Sequence, residues 1–96
     1  MSAPSFMSSE PRLSELKSRA QLLKPVLRLG KAGATPEFLA ALEEQLNLHQ
    51  LLKIRFEGFK EERKTLSKEI AAQTNSLLVQ QVGHTAVYYR RSEVGQ

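Results

Sequence analysis

The stretch LKPVLRLGKAGATPEFLAAL, residues 23–42, runs from a short apolar strand through a loop with two glycines into a helix. Pro25 ends any helix that precedes it, and residues 26–29 then read as a strand. Thr35 and Pro36 are typical of the N-cap and the first position of a helix. Because a strand that leads directly into a helix begins a strand-helix-strand unit, this stretch predicts an α/β fold.

The residues before this stretch predict a first helix that ends at Pro25. Its apolar side chains recur at three- and four-residue steps and form one stripe: Leu13, Leu16, Ala20 and Leu23. Its cations lie off that stripe as a basic flank: Arg12, Lys17, Arg19 and Lys24. Residues 1–10 are small, polar and proline-containing, so we expect them to be disordered. The folded domain is therefore expected at residues 11–91, with residues 92–96 as a short tail.

The residues after it predict a second strand, a third helix and two closing strands. Residues 51–56 alternate, so that Leu52, Ile54 and Phe56 share one face of a strand. A helix is expected from about residue 61 to residue 74, and Asn75 suits a left-handed C-terminal cap. Strands at residues 77–82 and 86–91 are joined tightly through residues 83–85. The predicted order of elements is α-β-α-β-α-β-β.

This order predicts a mixed four-stranded sheet in a two-layer α/β (α+β) fold. Strand-helix-strand units require parallel pairing, whereas the last two strands form an antiparallel hairpin. Helices two and three should share one face of the sheet, and the other face should be partly open or covered by helix one. We expect that second face to carry four cations: Arg28, Lys53, Arg55 and Arg90. Tyr88 should lie on the same face, beside Arg90. A solvated polar strand face is the alternative explanation.

Composition narrows the possible functions. The 96 residues include no cysteine and no aspartate, which excludes disulfides, thiolate metal sites and cysteine catalysis. His49 and His84 lie far apart, and neither has a second ligand at metal-binding spacing. Since no nucleophile has an identifiable base, we expect a non-enzyme without metal or cofactor. No segment approaches the roughly 20 apolar residues that span a bilayer. The net charge of +4 favours a polyanionic partner.

The loop at residues 30–33 has the chemistry to present backbone amides and a cation to a phosphate. A P-loop is excluded, because Lys31 is followed by Ala32 and only two residues separate the glycines. The dinucleotide fingerprint G-x-G-x-x-G is also absent. What remains is G-x-x-G at the start of a helix, which is similar to the loop with which KH domains clamp a nucleic-acid backbone. An ordinary strand-to-helix turn is the alternative interpretation.

Three segments, in this order, resemble the CRM domain, the RNA-splicing and ribosome-maturation family, in its single-domain bacterial YhbY-like form. They are LKPVLRLGKAG, LNLHQLLKIRF and EERKTLSKEIAAQTNSLLVQQVGHTAVYYRR, and the resemblance covers about residues 13–91. It implies a fold like the C-terminal domain of bacterial translation initiation factor three, preceded by an extra helix. It also implies RNA binding, since stand-alone bacterial members associate with precursors of the large ribosomal subunit and plant relatives assist intron splicing.

The resemblance, together with the basic strand face, gives a set of predicted RNA-binding residues. These are Gly30, Lys31, Ala32, Gly33, Arg28, Lys53, Arg55, Lys24 and Arg90. Three features depart from the family pattern: Ala32 at a loop position that is often polar, Asn75 in place of glycine, and an end without a long basic tail. We expect a cytoplasmic, monomeric factor that binds rRNA of the large-subunit precursor. A protein-binding adaptor with an acidic partner and a nonspecific nucleic-acid binder are the alternatives.

Overall fold

The computed structural model describes residues 12–91, and the segments predicted to be disordered (1–10) or a tail (92–96) lie outside them. The observed order of elements is the predicted one. The three helices are α1 (Leu13–Ala20), α2 (Pro36–His49) and α3 (Arg63–Thr74), and the four strands are β1 (Pro25–Leu29), β2 (Leu51–Phe56), β3 (Leu77–Val82) and β4 (Thr85–Tyr89). The α+β class with a four-stranded mixed sheet is confirmed.

The sheet has the strand order β1-β2-β4-β3. Strands β1 and β2 pair in parallel across α2, as the sequence predicts. The parallel pairing expected for the second strand-helix-strand unit is wrong, because β4 lies between β2 and β3 and pairs antiparallel with both. Strands β2 and β3 therefore run in the same direction without touching, and the closing hairpin folds back into the sheet.

The main core lies between the sheet and helices α2 and α3. Leu52, Ile54 and Phe56 of β2 are at most 2% exposed and pack in one cluster with side chains of both helices. Helix α2 begins where the sequence predicts, because the Phe38 N–H donates to Thr35 Oγ1 at 3.1 Å. Helix α3 ends at Asn75, whose φ of 53° places it in the predicted left-handed conformation. Caps and apolar periodicity thus set the geometry of this layer.

Helix α1 packs on the opposite face of the sheet and covers part of it, which decides between the two arrangements that the sequence leaves open. Leu16 and Ala20 are buried against Leu51, Val79 and Val87. The helix ends at Ala20, however, and not at Pro25 as predicted. Residues 21–24 form a turn and an extended link, and Pro25 is the first residue of β1. The proline excludes a helix beyond residue 24, but it does not determine how early the helix stops.

Tyr88 lies in the main core beneath α3, so its predicted position on the α1 side of the sheet is wrong. It pairs with Leu52 across β2 and β4, its side chain is fully buried, and its hydroxyl donates to the Ser67 carbonyl at 3.0 Å. Burial raises the pKa of the Tyr88 phenol well above its ordinary value. Tyr89, its neighbour, packs on the α1 side instead.

Replacing Tyr88 by phenylalanine should lower the free energy of unfolding by about 1 kcal/mol at neutral pH, through loss of the hydrogen bond to Ser67. Above about pH 10 the phenol ionises in the unfolded chain but stays protonated in the fold, so the wild type should lose about 1.4 kcal/mol per pH unit. The variant lacks this loss. Urea unfolding between pH 7 and pH 11 should show the difference between the two proteins shrinking, and a constant difference would contradict this interpretation.

Candidate nucleic-acid interface

The loop between β1 and α2 is a hydrogen-bonded turn that exposes its two middle residues. The Gly33 N–H donates to the Gly30 carbonyl at 3.0 Å, which places Lys31 and Ala32 at the corners of the turn. Both corner residues are exposed. Among residues 12–91, neither the Lys31 nor the Ala32 N–H donates a hydrogen bond. The loop therefore offers two free amides and one ammonium group, all of which suit a phosphate.

The two glycines of the loop differ in what the fold requires of them. Gly33 has a φ of +80°, a left-handed conformation that side chains rarely adopt, so the turn itself requires glycine there. Gly30 has no positive φ, and a β-carbon added to it would meet nothing within 4 Å. The described part of the fold gives no steric reason for glycine at position 30. A bare backbone at this exposed place allows close approach by a ligand.

The loop lies against two other turns, and together they form what we call the loop edge: residues 30–33, 57–62 and 83–84. Phe59 Cζ would lie 3.8 Å from a β-carbon at position 33, so the first two turns touch. Arg63 joins the second turn to the third, because its Nε donates to the Gly58 carbonyl and its Nη1 to the Gly83 carbonyl, each at 3.1 Å. The loop therefore packs against a second turn, which Arg63 links to a third turn by hydrogen bonds.

The half of the sheet next to the loop edge is open on the α1 side and carries three of the predicted cations. Arg28 of β1 pairs across the sheet with Arg55 of β2. Lys53 lies two residues before Arg55 and shares its face. Arg55 is exposed and Lys53 half-buried, and neither side chain has an ionic partner among residues 12–91. We call these three residues the open-face cations.

Glu57 partly neutralises the positive charge of the open face. The strand sequences do not show this, because Glu57 lies just after the end of β2. Its carboxylate lies 3.5 Å from Arg28 Nη1, with 72% and 46% of the two side chains exposed. An exposed pair of this kind contributes little to stability and leaves the guanidinium available to a stronger anion. The proximity follows from the parallel pairing of Arg28 with Arg55, because Glu57 lies two residues beyond Arg55, just after the end of β2.

Lys24 and Arg90, the remaining predicted cations, lie elsewhere. Lys24 is exposed at the start of β1, the end of the strand away from the loop. The prediction that Arg90 lies on the open face is wrong. Its guanidinium points to the helix side and donates to Glu43 Oε1 at 2.6 Å, to the Thr74 carbonyl at 2.7 Å and to Asn47 Oδ1 at 3.0 Å. Only 18% of its side chain is exposed, so it fastens the ends of α2 and α3 to β4.

Charge differs between α2 and the open face of the sheet. Helix α2 contains three glutamates, Glu37, Glu43 and Glu44, and neither lysine nor arginine. The opposite side has the basic flank of α1 and the open-face cations, among which Glu57 and Glu15 are the acids. A polyanion is therefore attracted to the open face and the loop edge and repelled from α2.

Within residues 12–91 no group of histidine and acidic side chains has the arrangement of a metal site. None of the helices in that part of the chain is long and apolar enough to cross a membrane.

The chain is similar to known proteins in sequence and in fold. The family model described as the CRS1 / YhbY (CRM) domain matches residues 9–90. A Pseudomonas aeruginosa protein named "Probable RNA-binding protein" is 36% identical over 85 residues, which cover 88% of this chain and 82% of the relative. A Haemophilus influenzae protein named "RNA-binding protein" is 42% identical over 79 residues, 81% of this chain and 80% of the relative. A solution structure from Staphylococcus aureus has a TM-score of 0.74 and 27% identity over 88% of both chains.

Proposed function

The chain belongs to the CRS1 / YhbY (CRM) domain family, and from this premise we propose that it is an RNA-binding protein. RNA meets the loop edge through the free amides and Lys31 of the loop. The strand then continues over the open-face cations, Arg28, Lys53 and Arg55. The names of the Pseudomonas and Haemophilus relatives support RNA as the ligand.

One observation carries the proposal: Gly30 is a glycine that the described fold does not require, beside two backbone amides that have no acceptor within it. A turn that only reverses the chain needs Gly33 and nothing at Gly30. Contact between the protein backbone and a phosphate needs both glycines, since any side chain at position 30 would stand between the two backbones.

Replacing Lys53 and Arg55 together by glutamine should weaken RNA binding without unfolding the domain. Both side chains point away from Ile54 and the main core, so the fold should keep its stability. Removal of two phosphate contacts should lower the salt dependence of log K by about 1.4–1.8 units. Salt titrations of RNA binding, with thermal melts as the folding control, measure both effects. Unchanged affinity and slope would mean that this face is only solvated surface.

We further propose that the RNA is rRNA of the large-subunit precursor, bound in the cytoplasm by the monomeric protein. The resemblance to single-domain bacterial members of the family supports this, as does the small basic domain. The expected result is cosedimentation with immature large-subunit particles and much less with translating ribosomes. A gradient profile that follows mature small subunits, or protein free of all ribosomal particles at low salt, would contradict it.

A further inference from the structure

We infer that a groove at the end of the sheet away from the loop edge binds an unstacked nucleobase of single-stranded RNA, an inference that rests on the proposed function. The groove has a volume of about 390 Å³. Five side chains, from the end of α1, the turn after it, the end of α2 and the start of β2, line the groove: Arg19, Leu22, Leu23, His49 and Leu51.

The chemistry of the groove suits a base. Three leucines provide an apolar surface, and Arg19 and His49 supply planar groups of the kind on which unstacked bases stack in RNA complexes. Among residues 12–91, the Arg19 side chain has no ion pair that would hold it elsewhere. A guanidinium that is free to lie flat over a base adds a cation–π contribution to the stacking.

Leu51 is buried and Leu23 partly buried in the cluster beneath α1, whereas the fold leaves Leu22 unpacked. It is 87% exposed, the highest value among the exposed large apolar side chains of the described residues. It is exposed because α1 stops at Ala20 and the chain turns at residues 21–22. Leu48, on the last turn of α2, is also 67% exposed. Leu22 thus presents an apolar surface at the groove that the described part of the fold leaves uncovered.

The groove lies at the opposite end of β2 from Arg55, on the face of the sheet that carries the open-face cations. Leu51 points to the same face of β2 as Lys53 and Arg55, because the three alternate along one strand. Leu51 and Arg55 are four positions apart along the strand, about 13 Å, and the loop lies beyond Arg55. A single strand with its phosphates on the loop and the open-face cations would therefore reach the groove with a base a few nucleotides farther on. In a duplex that base stays paired, so the groove selects single-stranded RNA.

The test replaces Arg19 by lysine, which keeps the charge and removes the planar group. Affinity for oligouridine and oligoadenosine of about ten nucleotides should fall about fivefold, because the stacking contact is lost. The salt dependence of binding should not change, because lysine keeps the charge and no phosphate contact is removed. Arg12→Lys is the matched control, since it makes the same change at the N-cap of α1, outside the groove, and should leave affinity unchanged. An abasic ribose is placed at each position of the oligonucleotide in turn. At one position it should abolish the difference in affinity between the wild type and Arg19→Lys.

Equal affinities of the wild type and Arg19→Lys would overturn the inference, and so would an equal loss on duplex RNA of the same sequence. Failure of the groove is distinguishable from failure of the proposed function. If Lys53→Gln/Arg55→Gln weakens RNA binding while Arg19→Lys does not, the protein binds RNA without using the groove. If the wild type binds no RNA, the proposed function itself is wrong.

Discussion

Replacing Lys31 and Ala32 together by aspartate should lower RNA affinity by about 1–3 kcal/mol, or roughly 5- to 150-fold, and leave the fold intact. Both residues are exposed at the corners of the turn, and neither glycine is touched. The change removes the one cation of the loop and adds two carboxylates beside the free amides, where the phosphate is expected. Binding curves and salt titrations of wild type and variant measure the effect.

Two further variants test whether RNA affinity depends on the position of these charges or only on their number. Lys68→Asp/Ala72→Asp makes the same substitutions at two exposed positions of α3, so its net charge changes equally. It should bind RNA much more tightly than the loop variant does. Gly30→Ala should weaken binding while stability stays the same or rises slightly, because the backbone there does not require glycine. If the loop and α3 variants lose affinity equally, only net charge matters and the loop merely turns the chain.

Replacing Arg90 by methionine should cost about 2 kcal/mol of folding free energy and lower the melting temperature by roughly 8–16 °C. Methionine keeps the apolar length of the side chain. It removes the donors that Glu43, Asn47 and the Thr74 carbonyl accept from. The partly buried Thr74 carbonyl and the ends of α2 and α3 then lose their link to β4. RNA affinity, measured where the variant is folded, should not change.

Arg28→Met is the matched control, since it makes the same substitution at an arginine whose only partner among the described residues is exposed Glu57. Its stability should fall by less than about 1 kcal/mol, whereas its RNA affinity should fall. The two variants are expected to show opposite patterns. A stable Arg90→Met protein with weakened RNA binding would mean that Arg90 serves RNA and not the fold.

The sequence predicts the elements well where local chemistry determines them. The N-cap at Thr35, the left-handed cap at Asn75 and the alternation of residues 51–56 each depend on neighbouring residues, and each is confirmed. The placement of β4 between β2 and β3 depends on long-range packing, for which no local signal exists. The early end of α1 at Ala20 is of the same kind, because residues 21–24 carry no strong helix breaker before Pro25.

The candidate site was predictable only on strands with one polar face. Lys53 and Arg55 alternate with buried apolar residues, so the sequence predicts that both point away from the main core. Strand β4 is covered by helices on both sides, with Val87 and Tyr89 toward α1 and Ala86 and Tyr88 toward α2 and α3. Alternation of apolar with apolar residues carries no directional signal, so the sequence does not indicate that Arg90 lies on the helix side. The brace made by Arg63 was missed because both of its acceptors are backbone carbonyls in turns.

The most direct measurement is ultraviolet crosslinking of the protein to RNA in cells, followed by mass spectrometry of the peptides that carry a nucleotide. The proposed path predicts adducts within residues 30–33 and residues 51–56, and their loss from the first segment in the Lys31→Asp/Ala32→Asp variant. Adducts confined to the acidic surface of α2 at residues 37–44, or none above the unirradiated sample, would contradict the proposal that RNA binds the loop edge and the open face.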